Sequence, residues 1–103
     1  MEEVVLITAP NEEVARTLAR ALVEERLAAC VNLVPGLTSI YRWQGEVVED
    51  QEVLLIVKTT TFAFPRLRER VLALHPYGVP EILALPVAEG HQAYLDWLRE
   101  NVG

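Results

Sequence analysis

The sequence predicts one α+β domain over residues 1–103, with an antiparallel sheet and helices packed against it. Three observations carry this. At 103 residues the chain suits one domain, and 51% apolar residues suffice for a core. Strand-like and helix-like segments alternate at intervals suited to one fold, in the order βαββαβα. No repeat, low-complexity stretch or linker interrupts them.

Val4 to Thr8 is the first strand, apolar on both alternating faces and therefore central. Asn11 caps the first helix, with Glu12 and Glu13 at its positive end. Val14, Leu18, Ala21 and Leu22 form one stripe that Leu27 and Ala28 continue, so this helix is expected to run to about Ala29. Val31 to Val34 is strand-like, Pro35-Gly36 bends the chain, and Thr38 to Trp43 is strand-like again. Gln44-Gly45 predicts a hairpin turn, and the return strand runs from Glu46 to about Thr60. A second turn or a bulge at Glu49-Asp50 is an alternative.

Thr61 is placed as the cap of the second helix, Pro65 in its first turn, and Phe64, Leu67, Val71 and Leu74 on its inner face. His75-Pro76 ends it, because proline excludes the helical conformation at His75. Ile82 to Val87 is the fourth strand. A third helix follows Gly90, with Tyr94, Leu95, Leu98 and Val102 inward. The first six elements match a ferredoxin-like βαββαβ sandwich, to which the C-terminal third helix is added.

In such a sandwich the helices cover one face of the sheet. The strands at Val4–Ile7 and Val53–Val57 are nevertheless apolar on both faces, which predicts an apolar patch larger than monomers usually expose. Glu46 to Lys58 as a strand spans roughly 43 Å, whereas a globule of this size is about 34 Å across. The hairpin should overhang the body, carrying Tyr41 and Trp43 at its end. An overhanging edge invites pairing with another chain, so a homo-oligomer is expected.

The formal charge of −6 argues against nucleic acid and against an anionic membrane surface. The longest apolar run, Val53 to Val57, is of strand length. One cysteine excludes an internal disulfide, and Met1-Glu2-Glu3 is acidic where a signal peptide would be basic; cytoplasmic localisation is the expectation.

Few side chains suggest chemistry. Cys30 is more often a small buried hydrophobe than a nucleophile. His75, Tyr77 and Glu81 sit in a stiff loop between Pro76 and Pro80, where a neutral imidazole is a candidate metal ligand. No Cys-x-x-Cys or His-x-x-x-His spacing accompanies it. Lys58 ends an otherwise apolar strand, either snorkelling or fixed by a carboxylate, and in an oligomer could face a cleft between chains. Glu46, Glu49, Asp50 and Glu52 read as a solvated face. Trp43, Lys58, Tyr77 and Glu81 form the candidate ligand cleft.

Several segments resemble the CutA (CutA1) divalent-cation tolerance family. They are Leu22-Val23-Glu24 through Leu27-Ala28-Ala29-Cys30-Val31-Asn32, Tyr41-Arg42-Trp43-Gln44-Gly45, and Lys58-Thr59-Thr60. With them go His75-Pro76-Tyr77-Gly78-Val79-Pro80-Glu81-Ile82, Leu85-Pro86 and Tyr94-Leu95-Asp96-Trp97-Leu98. The resemblance covers essentially the full length. It implies a ferredoxin-like homotrimer similar in architecture to the PII signalling proteins, joined through extended strands. It also implies a link to copper and divalent-cation tolerance. No cofactor is required; Cu(II) or another divalent cation is the implied ligand. Copper ligands proposed in the family lie in the first strand and at two positions entering the His-Pro-Tyr motif. Here those positions carry Ile7, Leu74 and His75, so only His75 matches; Cys30 matches a widespread family cysteine.

The expectation is a non-enzymatic trimer that binds divalent cations or a small ligand at subunit clefts. The alternatives are a structural or partner-binding trimer without direct metal binding, and a small acylphosphatase-like hydrolase. The latter needs an anion-binding arginine near the first strand, which Thr8-Ala9-Pro10-Asn11 lacks.

Overall fold

The computed structural model describes residues 1–103. The elements follow the order β1 (Glu2–Ala9), α1 (Glu12–Glu24), β2 (Cys30–Trp43), β3 (Glu46–Thr60), α2 (Phe64–Leu74), β4 (Ile82–Pro86) and α3 (Gln92–Glu100). The four strands form one antiparallel sheet in the order β2-β3-β1-β4. This is the ferredoxin-like arrangement with a third helix added.

Alternation along the central strands divides the side chains between two faces. Val5 and Ile7 of β1 and Val53, Leu55 and Val57 of β3 meet Leu18, Leu22, Leu67 and Val71 of the helices in the buried core. Each such side chain contributes about 1.5–3 kcal/mol by leaving water. The other face carries Val4 and Leu6, Leu54 and Ile56, and Leu83 and Leu85, whose register pairs them across β1, β3 and β4. Only α3 crosses this face, at the end where Glu2 lies. Leu98 is buried there, and Arg99 Nε donates to the Glu2 carboxylate. Leu83 and Leu85 remain 57% and 49% exposed, so much of the apolar face is open.

The hairpin overhangs as its length demands. The molecule measures 44 × 26 × 22 Å. Its turn is at Gln44-Gly45, both with positive φ (50° and 83°), the left-handed pair that a tight two-residue hairpin requires. β3 runs unbroken past Glu49 and Asp50, so no second turn forms there. The irregularity lies instead in β2, between Val34 and Leu37, where Pro35 and a left-handed Gly36 (φ 78°) insert an extra residue. The two segments expected on either side of Pro35-Gly36 are therefore one bulged strand, because a bulge bends a strand without ending it.

Two other boundaries differ from expectation. α1 ends at Glu24, not near Ala29. Arg26 adopts a left-handed φ of 59°, Arg26 N–H donates to Val23 O, and Leu27 N–H donates to Leu22 O. This is a Schellman closure with arginine where glycine is usual. Leu27 and Ala28 extend the apolar stripe, but they are buried as the chain turns away. The left-handed arginine is held from outside: its guanidinium donates to the carbonyls of Gly103 and Glu100, each at 2.7 Å, and Gly103 N–H returns a bond to Arg26 O. Thr61 is not the cap of α2. Its hydroxyl faces Met1 O and Glu3, and Thr60 Oγ1 accepts from Ala63 N–H instead. Asn11 caps α1 as expected, accepting from Val14 N–H at 2.9 Å.

The Arg26 geometry sets an ordering of variants. Arg26→Gly loses the guanidinium bonds but relieves the left-handed backbone, and should stay within about 1 kcal/mol of the parent. Arg26→Ala loses the bonds and keeps the strain, and should be roughly 1 kcal/mol less stable than the glycine variant. Urea unfolding of the pair checks this order.

Candidate functional site

The open sheet face is where the candidate residues gather. The bulge at Pro35-Gly36 shifts the alternation of β2, so that Leu37, Ser39, Tyr41 and Trp43 lie on the same face as Cys30 and Asn32. Along β3 that face carries Glu46, Val48, Asp50, Glu52, Leu54, Ile56 and Lys58.

His75 ends α2 in an extended conformation (ψ 135°), as Pro76 requires. It is buried, and both ring nitrogens are used. Nδ1 accepts from Tyr77 N–H at 3.1 Å, which leaves the proton on Nε2 to be donated to Thr8 O at 2.7 Å. The ring packs against Tyr77 with centroids 4.8 Å apart. His75 is thus a neutral strut between α2 and β1. A cation could take Nε2 only by displacing the Thr8 carbonyl.

Cys30 opens β2, half-buried, with Sγ 3.9 Å from Asn32 Oδ1. Its register partner Lys58 pairs with Val4, four residues along β1 from Thr8. About 13 Å of strand therefore separates Cys30 from the His75 contact, and within one chain the two candidate metal residues do not converge. The first-strand position, Ile7, lies wholly in the helix-side core. No group of three His, Cys, Asp or Glu side chains in the chain is placed to hold a metal ion.

The candidate cleft is likewise spread out. Trp43 pairs with Glu46 beside the hairpin turn and is 49% exposed. Tyr77 reaches Glu52, donating from its hydroxyl at 3.2 Å. Lys58 lies six residues beyond Glu52 on β3, about 20 Å away. Glu81, exposed, precedes the Ile7–Ile82 pair near Tyr77. Tyr77 and Glu81 are close along the loop; Trp43 and Lys58 mark opposite ends of the same face. Lys58 is fixed not by a carboxylate but by the side-chain carbonyl of Asn32, a partner visible only once the β2–β3 register is known.

The feature that residue reasoning missed is a pair of phenol–carboxylate contacts. Tyr41 Oη donates to Asp50 Oδ2 at 2.5 Å, and Tyr77 to Glu52. The hydrogen bond to Asp50, then desolvation and the surrounding carboxylates, push the Tyr41 phenol up to about 12. Burial, then Glu52, raises Tyr77 as well. Tyr94 of α3 is raised by burial and by the neighbouring Cys30. At the other end, the hydrogen bond from Arg99 holds Glu2 below the ordinary carboxylate range. The sequence signal was the even spacing of Glu46, Asp50 and Glu52, which puts three carboxylates on one strand face.

A ferredoxin-like sandwich with a long overhanging hairpin and a third helix across its free face defines the structural class. Residues 3–101 match the family model of the CutA1 divalent ion tolerance protein, and the chain belongs to that family. It is 82% identical to the divalent-cation tolerance protein CutA of Thermus thermophilus over 103 residues, all of both chains. Protein CutA of Homo sapiens is 53% identical over 94 residues, which are 91% of this chain and 52% of the human protein. The chain thus spans the whole of the Thermus relative and about half of the human one. The Thermus thermophilus structure superposes with a TM-score of 0.98 at 82% identity over all of both chains. The Oryza sativa CutA1 structure does so at 0.96 and 46% identity, over 99% of this chain and 94% of that one.

The phenol–carboxylate pair has a defined pH signature. Because the folded state holds the neutral Tyr41 phenol more firmly than the unfolded chain does, its contribution is complete below pH 10. It is lost as pH rises from 10 to about 12. A phenolate absorbance titration should show all three tyrosines titrating late, with the Tyr41 phenol at about 12. Asp50→Asn should bring it back toward 10, and Tyr41→Phe should remove it.

Proposed function

We propose that this chain acts in divalent-cation tolerance as a homotrimer with no catalytic role, binding a cation such as Cu(II), or a small ligand, where subunits meet. The observation that carries the reading is the sheet face left open beside a hairpin that projects beyond the body. An apolar face of this kind is stable when another protein surface closes it, and a second copy supplies a matching one. The relatives' names supply the tolerance role.

The proposed cleft joins Tyr77 and Glu81 of one subunit to Trp43 and Lys58 brought by neighbours. Their scatter within one chain favours an inter-subunit arrangement, since all four belong to or border the face that assembly would cover. Carboxylate oxygens are among the ligands that Cu(II) and Zn(II) accept, and Glu52 and Asp50 offer them beside Tyr77 and Tyr41. His75 then supports the site by holding the loop, and Cys30 lies farther along the same face. The free thiol supports the cytoplasm as the compartment.

Light scattering on metal-free protein should give three times the chain mass, and a monomer would sink the assembly reading. Calorimetric titration with Cu(II) and Zn(II) should show saturable binding, weakened tenfold or more by Glu52→Gln. His75→Ala should lower the unfolding midpoint while preserving some cation uptake. An intact trimer that takes up neither ion would make the tolerance role indirect and move the search to protein partners.

A further inference from the structure

The side of the molecule away from the open sheet face carries a second feature. A groove of about 610 Å³ runs along the outer surface of α2 beside the turn that follows α1. Leu27, Pro65 and Ala73 form its apolar part, and Arg66, Arg68 and Arg70 its polar part, with Glu25 and Glu69 also at the wall. Three of the chain's nine basic residues thus fall within five positions, in a protein of charge −6.

These arginines are placed against the ordinary electrostatics of a helix. The N-terminal end of a helix is positive and favours acids. The first turn of α2 carries no acid and no side-chain cap, and Arg66 stands there instead. Arg70 is occupied: its guanidinium grips the Glu25 carboxylate through contacts of 3.0 and 3.1 Å. Arg66 and Arg68 have no hydrogen-bonding or carboxylate partner. Their guanidiniums lie over the rings of Phe62 and Phe64, at 5.8 and 5.7 Å from the centroids. Stacking on a ring limits the motion of a guanidinium and leaves its N–H edge free. The Arg70–Glu25 pair is a local example of what such an edge accepts, a planar or tetrahedral oxyanion.

We propose that this groove binds a small polyanion, a phosphate chain or a polycarboxylate, through Arg66 and Arg68. The volume suits a small molecule, and the shared chemistry is two or more oxyanion groups on one molecule, reaching the separate arginines that line the groove. The groove stays open whether or not the opposite sheet face is covered by assembly, so this site is independent of the cation reading.

The test is calorimetric titration of the intact, metal-free protein at low salt with inorganic tripolyphosphate and, separately, citrate. Metal-free buffer matters because both probes chelate divalent cations. Saturable binding of either probe, weakened tenfold or more in Arg66→Ala/Arg68→Ala and by added salt, supports the site. The tighter probe then identifies the chemistry. Arg16→Ala, a charge removed from α1 and paired only with Glu12, should leave binding within twofold. Absence of saturable binding to the parent, or equal weakening by Arg16→Ala, overturns the proposal. Matching thermal midpoints for parent and double variant show that a lost signal is not lost folding.

Discussion

The β1–β3 ladder is the constraint on which the rest depends. Eight consecutive pairs, from Glu2↔Thr60 to Ala9↔Val53, fix both central strands. Period-two alternation then decides every side chain's face. The first two helices cover one of those faces, and α3 covers only one end of the other. β3 continues beyond the ladder, and that excess becomes the projecting hairpin with β2. The buried core, the open face and the overhang are therefore three results of one register.

Polar contacts refine that frame at its ends. At one end, α3 is pinned across the sheet by Arg99 on Glu2 and by Arg26 on the carbonyls of Glu100 and Gly103. At the other, the imidazole of His75 joins α2 to β1, and Tyr77 joins the same loop to Glu52 on β3. A ligand engaging Tyr77 or Glu52 would act on a loop already tied to three elements.

Much of this was legible because it rests on local chemistry. Asn11 announced its cap, Pro76 the end of α2, and the two-sided apolar strands the uncovered face. The CutA segments carried the family. What was hidden depends on contacts remote in sequence. Leu27 and Ala28 continue a helical stripe, and nothing local shows that Arg26 will turn left-handed, because the carbonyls that hold it lie more than seventy residues away. Thr61 reads as a cap until the start of β1 claims its hydroxyl, and α2 begins without a side-chain cap. His75 and Cys30 look like a donor pair on chemistry alone; the register sets them at different levels of the sheet. The Tyr41–Asp50 contact depends on the surplus residue being taken up as a bulge, since unbroken alternation along β2 would put Tyr41 on the other face.

That extra residue also bears on how the family's sequences can drift. Pro35-Gly36 acts as a phase shifter: upstream of it β2 presents its even-numbered residues to the open face, downstream its odd-numbered ones. Deleting one residue there would remove the bulge and leave the hairpin's faces as they are, because Leu37 would still meet Glu52 two positions on from the Val34–Leu54 pair. Length change at the Gln44-Gly45 tip likewise preserves both faces when it adds matched residues to both strands. A single-residue loss at the kink would therefore change how the hairpin bends away from the body and not which side chains it presents.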